Sequence, residues 1–536
     1  MLISTALLAK SSRNPSRARE DDNTFKQRTL TGSFMNKSAG VLLGIVVAIG
    51  AISAGGAWYT GTKIEGVLNT AIADANIELN AALVGSNGTA SLELVSLERH
   101  VFSSTAHYRL KGEGEMFGET PVELLFADHI EHGPLPFSRL VSFKWLPVMA
   151  TSHYELERTS LTEKWFAAAK GKSPLTGVVN IGYDNSTSGT LELQPLDVVL
   201  DDKSTLKFSG LNLDVAASAQ AQKVKANGYM NSLTLSTVAE DQTPLKVELN
   251  GLTLASNLVK SPYGYYTGEN TLELTDSKTT FGAKQSVLGL KKFEMKNLTA
   301  ESGTSASGRA DYKVGEVSMN GKAVGAAQMA VSLKNLDIPA TMSLMQIYQT
   351  KLQPYERAAA EAVAAGEPTP ELVLTPAEEA QVKTGLEKLL AAGPQVALEN
   401  LSFKTANGES RANLVLDLTK PQTMDLPSDQ LTLQLIALLD LNVQVSKPML
   451  VDLLTVQSQV DGQTDAKVIA DQANATADMF SSMAVGSQLA KLDGNNVVSK
   501  LHYANNQVEF NGQKMTVEEF VGFVMSKLGG GVEIQE

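Results

Sequence analysis

Cysteine is absent from the 536-residue chain. Disulfide frameworks, thiolate metal sites and cysteine nucleophiles are excluded together, although this alone fixes no compartment. Aromatic residues are scarce at 6%. No glycine-rich phosphate loop follows a strand, no G-x-S-x-G elbow occurs, and no helix carries H-E-x-x-H. With no catalytic constellation and no cofactor motif, the chain reads as a non-enzymatic protein without a cofactor. What it has in quantity is aliphatic residues and 42 glycines, a mixture suited to many short strands and turns. Its length exceeds what one hydrophobic core needs, so several lobes or a repeat architecture are expected.

One long stretch lacks charge altogether. Ser38 to Thr62, SAGVLLGIVVAIGAISAGGAWYTGT, is bracketed by Lys37 and Lys63. Its length exceeds the ~20 residues that cross a bilayer as a helix. Trp58 and Tyr59 stand at its far end, where amphipathic rings favour the membrane interface. A cleaved signal peptide is the competing reading; it would need an unusually long apolar region and has only an ambiguous small-residue site at 54–56. An uncleaved single-pass anchor is expected.

Seven Lys/Arg precede the span against three acids, a positive-inside flank that keeps the N-terminus cytoplasmic. Removing these from the totals of 45 and 58 leaves 38 basic and 55 acidic residues, a net of −17 on the far side. Such a surface argues against nucleic acid as a partner. The bilayer, reached through the anchor, is the partner the sequence implies; a lipid ligand and a homodimer stay open. Residues 1–34 are polar and aperiodic, expected to be disordered, and Met35 opens a compact anchor start that reads as the native initiator.

Beyond the anchor one octet recurs, written apolar-x-apolar-x-slot-Leu-x-apolar. It stands at Leu206–Leu213 (LKFSGLNL), Val247–Leu254 (VELNGLTL), Phe293–Ala300 (FEMKNLTA), Val331–Ile338 (VSLKNLDI) and Val396–Phe403 (VALENLSF). Strand alternation slips by one at each slot, occupied by Gly210, Gly251, Asn297, Asn335 or Asn400. Gly and Asn tolerate the left-handed backbone at low cost, and a bulge there would absorb the surplus residue and keep the apolar side chains on one face. LELQPLDV, Leu191 to Val198, has Pro195 in the slot, which predicts an edge or a kink. Plainer alternating strands between the octets predict a sheet with one wet and one dry face.

The periodicity becomes helical at 341–392, with Thr375, Pro376 and Glu378 forming a capping box and Gly393-Pro394 a stop. Further helices are expected from about Ser446 to Leu492 and from Thr516, separated by a hairpin turning at Asn505-Asn506. The fold class is mainly β with α insertions: an extended, curved, repeat-built antiparallel sheet behind a transmembrane helix. The segments read as 1–37 cytoplasmic, 38–62 membrane-spanning, 63–340 β-rich, 341–394 a helical insertion, 395–445 β-rich again, and 446–536 helical with a short hairpin.

The densest polar cluster is ADHIEHGPLP, with Asp128, His129, Glu131 and His132. A strand entering a proline turn would point His129 and His132 to opposite faces, so no metal site is assigned. His100, His107, His153 and His502 read as structural.

GGAWYTG (55–61), RHVFSS (99–104), HGPLP (132–136) and YANNQVEFNGQKMTVEEFV (503–521) together make the chain resemble the YdgA family of bacterial inner-membrane proteins. That resemblance implies a bitopic protein of the Gram-negative envelope with a large periplasmic part and no assigned chemistry. The one-faced strands also look like the AsmA/TamB-like group, whose rolled sheets imply shelter for lipid chains. Three functional classes follow: sheltering or transfer of acyl chains in an apolar trough, a structural or assembly role through protein contacts, and, with no motif behind it, hydrolysis of envelope polymers.

Overall fold

The computed structural model describes residues 88–528, apart from 115, 116, 118–120, 240, 241 and 425–427, together with scattered positions between 68 and 83. The span at 38–62, its flanks Lys37 and Lys63, the aromatic pair Trp58 and Tyr59, and Met35 lie outside the described residues. Among the described residues no helix is long and apolar enough to cross a membrane.

The described residues are mainly β, with 22 strands and antiparallel ladders among them. It divides into two compact units. Of the described residues, one unit takes those up to 298 together with 311–327; the other takes 299–310 and everything from 328. The division passes through the long strands at 286–337 instead of along the helix boundaries at 341 and 446.

In the first unit, β1 (Gly88–Arg99), β2 (Ser103–Gly114), β3 (Val122–His132), β4 (Ala150–Leu156), β5 (Leu175–Ile181) and β6 (Thr187–Leu193) pair in sequence order. A short helix, α1 (Phe137–Val141), lies in the β3–β4 connection, and α2 (Glu163–Ala168) in the β4–β5 connection. The next hairpin has two broken arms. Its outgoing arm is β6 and β7 (Leu196–Asp201), split at Gln194-Pro195, because proline cannot donate to a ladder. Its return arm is β8 (Ser204–Phe208) and β9 (Leu211–Ala217), split at Ser209-Gly210. Long strands follow: β10 (Lys223–Val238), β11 (Pro244–Lys260) and β12 (Tyr266–Phe281), then β13 (Ser286–Ser302), β14 (Ser305–Met319) and β15 (Lys322–Asp337), each divided between the two units.

The break in β8–β9 continues across the sheet. Phe208 faces Leu233 and Asn212 faces Tyr229, which sets Gly210 opposite Asn231. Met230 faces Leu252 and Ser232 faces Asn250, and then Asn250 faces Asp276 and Leu252 faces Leu274. Gly210, Asn231, Gly251 and Thr275 thus form one row in which every strand carries its own irregular position. The pairing register does not change across the row. No strand holds a surplus residue against its neighbour; the slip is matched strand by strand. Leu274 and Ser277, three apart and on opposite faces of a regular strand, are both buried, as a dry face continuing through the row requires.

Left-handed φ occurs at Gly210 (93°), Gly251 (64°), Lys292 (53°) and Asn335 (58°), but not at Asn297 or Asn400. The third slot is therefore Lys292, in the octet LGLKKFEM (288–295), and the intervals become 41, 41 and 43 residues. All four positions interrupt or occupy alternate strands: β8–β9, β11, β13 and β15. A Cβ built on Gly315, near Lys292, would fall 3.0 Å from the lysine Cβ, so the glycine leaves room for it. Asn400 occupies a bulge of another kind. Leu398 faces Leu414 and Leu401 faces Ala412, so Glu399 and Asn400 together oppose Asn413.

The first unit's core is closed by a helix. Residues 68, 69, 72, 73, 75–77, 79 and 80 are helical, and Leu68, Ile72, Ala75, Leu79 and Leu83 are buried against β1–β6, β9 and β10. This helix also pairs the free edge of β1. Asn76 Nδ2 donates to Leu92 O (2.9 Å) while its Oδ1 accepts from Leu92 N (2.7 Å); Asn80 does the same with Ala90 (3.0 and 3.3 Å). Two side-chain amides one turn apart replace a neighbouring strand.

The second unit contains α3 (Ile338–Ile347), α4 (Gln353–Ala365) and α5 (Pro376–Ala391), followed by β16 (Gln395–Lys404) and β17 (Glu409–Leu418). Next come α6 (Ser428–Leu435), β18 (Ile436–Ser446), α7 (Lys447–Val460), α8 (Ala466–Gly486), β19 (Lys491–Asp493), β20 (Asn496–Ala504), β21 (Gln507–Phe510), β22 (Gln513–Thr516) and α9 (Val517–Leu528). Thr375 and Glu378 close a reciprocal capping box on α5, Thr516 and Glu519 another on α9, and Ser446 caps α7. Asn505 and Asn506 both hold positive φ in the β20–β21 turn.

At Gly251 a Cβ would lie 2.4 Å from Thr275 Oγ1, in addition to the left-handed backbone. Gly251→Ala should therefore cost about 1–3 kcal/mol, read as a lower urea midpoint at unchanged slope. Lys292→Gly relieves the same backbone penalty at glycine's entropic cost, and should change stability by no more than about 1 kcal/mol in either direction. Equal losses for the two variants would remove the conformational role assigned to position 292.

Candidate functional site

The polar residues singled out in the sequence fall on both faces of the β2–β5 sheet. On the dry face, alternation along β3 points Phe126, Asp128 and Ile130 inward, facing Leu156, Tyr154 and Ser152 on β4. Asp128 is 3% exposed. Ser152 Oγ donates to Asp128 Oδ1 at 2.6 Å. The Tyr108 hydroxyl also stabilises the carboxylate, though it makes no hydrogen bond of good geometry. Tyr154 extends from the facing strand, its ring lying over Gly177, where a Cβ would fall 2.1 Å from the phenol oxygen. Its hydroxyl donates to Thr190 O at 3.4 Å.

No cation contributes to this pocket of polarity. Burial raises Asp128 from 3.8 to about 6, and the Ser152 hydrogen bond and the nearby Tyr108 hydroxyl only partly offset it. Burial, with the Asp128 charge behind it, raises both tyrosines. A carboxyl whose pKa is raised towards neutrality is a mark of functional sites in general, but here its surroundings are Ala106, Ile130 and the two rings of the packed core. Beside the core helix, a cavity of about 50 Å³ is lined by Leu79, Leu83, Leu110, Phe117 and Leu124. That is well short of the ~150 Å³ that admits benzene.

On the wet face His129 and His153 stand opposite each other, and Glu131 reaches into the β3–β4 connection. Glu131 Oε2 accepts the Ser138 amide at 3.0 Å and also its hydroxyl, while His153 Nε2 lies 3.2 Å from Ser138 Oγ. Burial lowers His153, Glu131 opposes the shift, and His129 adds to it. A nucleophilic serine would direct its proton at the imidazole. Here the hydroxyl donates to Glu131, the carboxylate that also holds the first turn of α1, so the trio orders the connection. His132 lies on the dry-face side of the strand and contacts Ser104 Oγ at 3.1 Å, away from His129. His107 pairs with Glu157, and His502 with Asp440. Among the described residues no three His, Asp or Glu side chains converge as a metal site would require.

The sequence reading missed the core helix and the burial of Asp128. Leu68, Ile72, Ala75, Leu79 and Leu83 carry helical spacing that identifies the former. The latter follows from parity: Asp128 shares it with Phe126 and Ile130.

The Asp128 shift sets a pH dependence. The folded pKa lies above the unfolded one, so the native state holds the extra proton and stability falls as pH rises from about 4 to about 6. Above that, ionised Asp128 costs the fold on the order of 3 kcal/mol. Asp128→Asn keeps an acceptor for Ser152 and removes the charge, so it should raise stability at pH 7.5 by about 1–3 kcal/mol and flatten this part of the pH profile. Denaturant midpoints of the two proteins from pH 4 to pH 8 provide the check; an Asn variant weaker at pH 7.5 would mean that the carboxylate is the favoured form.

Residues 35–518 match the family described as bacterial protein of unknown function (DUF945). The chain is 28% identical over 509 residues to Protein YdgA of Escherichia coli strain K12, covering 92% of this chain and 98% of that protein. It is 23% identical over 501 residues to the uncharacterised protein YihF of the same strain, covering 89% and 97%. It is 23% identical over 323 residues to an uncharacterised Haemophilus influenzae protein, covering 58% and 86%. No solved structure matches. On the extent of the family match, the chain belongs to the DUF945 family of bacterial proteins of unknown function.

Proposed function

We propose that this chain is a non-enzymatic, single-pass inner-membrane protein whose periplasmic β-rich part shelters or transfers lipid acyl chains along an open sheet face. The charge-free run at 38–62 and its basic N-terminal flank support the anchor and its orientation. The observation that carries the lipid reading is a set of apolar rows crossing the long strands. Leu191, Leu213, Gly228, Leu254 and Leu272 follow one another across five strands. Beyond the irregular row, Phe208, Leu233 and Leu249 do the same, then Leu206, Leu235 and Val247. The rows begin in packed core, at Leu191 and Leu213, and end half-buried, at Leu254 and Leu272. Each methylene laid against such a surface would contribute up to about 0.8 kcal/mol. The repeat-built sheet and the fold-level likeness to AsmA/TamB-like proteins point the same way, as analogy.

The cavity of about 50 Å³ beside the core helix is too small for an acyl chain, so the reading rests on the β10–β12 face. A second reading has its own observation: α8 exposes Met479, Phe480 and Met483, a surface suited to a protein partner or a second copy in a structural or assembly role.

Native mass spectrometry of detergent-extracted protein should reveal bound phospholipid, and photo-crosslinkers at Leu254 and Leu272 should label acyl chains where one at Ala255, on the other face, does not. Lipid-free protein with equal labelling at all three positions would favour the protein-contact reading.

A further inference from the structure

At one end of the N-terminal sheet three connections meet: the β1–β2 turn at 100–102, the β3–β4 connection at 133–149, and the β5–β6 turn at 182–186. His132 N donates to Phe102 O, and Met149 N to Ile181 O, which ties the three together. Their apolar side chains face outward. Val101 is 83% exposed, Phe102 81%, Phe137 74%, Phe143 80%, Trp145 63% and Leu146 78%. Tyr183 adds a phenol at 52%. Scattered exposed apolar residues need no explanation, but six on connections at one end of a sheet, with Phe143 and Trp145 in ring contact, mark a contact surface.

This presentation is built into the connection. Phe143 holds a left-handed φ of 55°, costly for a bulky residue. The α1 carbonyls fix it: Phe143 N donates to Leu140 O at 3.1 Å and Lys144 N to Arg139 O at 2.9 Å. Arg139 clamps the far side, Nη1 donating to Asn180 Oδ1 at 2.9 Å and Nη2 to Leu146 O at 3.0 Å. Phe143 and Trp145 pack edge to face, 6.4 Å between centroids. Strain retained to hold rings in solvent suits a surface that is covered in use.

Charge and chain direction identify the cover. Residues 99–103 and 133–149 contain Arg99, Arg139 and Lys144 and no acid, in a chain with a net charge of −13; only the third turn adds one, Asp184. Asn80 pairs with Ala90 and Asn76 with Leu92, so the core helix runs antiparallel to β1. Its Leu68 then lies ~12 Å beyond Asn76 towards Arg99, the end that carries the cluster. Leu68 is six residue steps from Thr62 at the end of the charge-free span, a reach of at most about 20 Å.

We infer that this end of the sheet is a second membrane contact: Phe102, Phe137, Phe143, Trp145 and Leu146 insert into the interface of the bilayer that holds the anchor, with Arg139 and Lys144 at the anionic headgroups. This rests on the anchor reading of residues 38–62 but not on the lipid-sheltering role. Aromatic and aliphatic side chains beside cations are the composition that lies in the headgroup boundary.

The test uses the full-length chain in phosphatidylethanolamine–phosphatidylglycerol vesicles with bromine-labelled acyl chains. Its three tryptophans are Trp58, Trp145 and Trp165. Trp58→Phe with Trp165→Phe leaves Trp145 as reporter, while Trp58→Phe with Trp145→Phe leaves Trp165, which sits in the β4–β5 connection at the opposite end. Trp145 should be quenched about threefold more than Trp165, as interfacial residence requires. Phe102→Ser with Phe143→Ser should reduce that difference without preventing flotation of the protein with the vesicles. Flotation with equal quenching of the two reporters overturns the tip contact and leaves the anchor intact. Failure of the full-length chain to float overturns both.

Discussion

A sheet that keeps one side dry over long strands is constrained by parity: a single misplaced residue sends everything after it to the other face. From β8–β9 to β12 the misplacement is accepted in every strand of one row at once. Gly210, Asn231, Gly251 and Thr275 share one row, and pairing resumes beyond it in unchanged register. Left-handed residues are needed only on alternate strands, where the chain runs in one direction, at Gly210, Gly251, Lys292 and Asn335. A repeat of 41 to 43 residues is therefore a repeat of hairpins, two strands to the period. The apolar rows on either side of the irregular row exist because this device keeps their leucines together.

The same concern with edges explains the core helix. A sheet that begins with β1 exposes a line of unpaired amides and carbonyls, a template for aggregation. Asn76 and Asn80 meet that edge with their own amides, each satisfying both backbone groups of one β1 residue. One turn of helix advances about as far as two strand residues, which is why asparagines four apart match Ala90 and Leu92. The helix's other face supplies Leu68, Ile72, Leu79 and Leu83 to the core. Covering the edge and filling the core are thus one event, and its geometry sets the end of the sheet towards which Leu68 lies.

How far the sequence revealed this depends on whether a residue's chemistry matches its backbone. Thr375, Glu378, Thr516 and Glu519 act through their own side chains at helix starts, so spacing alone located them. Asn505 and Asn506 favour the conformation that their hairpin turn needs. Lys292 has no such preference. Its octet, LGLKKFEM, is masked in the sequence by FEMKNLTA five residues on, because asparagine looks like a slot residue and lysine does not. Asp128 was hidden for the opposite reason: a carboxylate beside two histidines suggests a wet cluster, and only the parity it shares with Phe126 and Ile130 places it inside. Asn76 and Asn80 could not be read as edge partners, since their role depends on which strand lies alongside.

Two apolar surfaces of the first unit differ in kind, and the difference bears on function. Along β10–β12 the leucines are half-buried, each sheltered by row neighbours and offering a broad face of low relief. At the sheet end Phe102, Phe143 and Leu146 stand about four-fifths exposed, held outward by a strained backbone and an arginine clamp. A flat aliphatic face suits an extended chain that lies along it, because contact accumulates methylene by methylene. Projecting rings beside cations suit a boundary that is apolar on one side and charged on the other. Contacts of this kind are written in parity, register and exposure, and none leaves a short signature in the sequence.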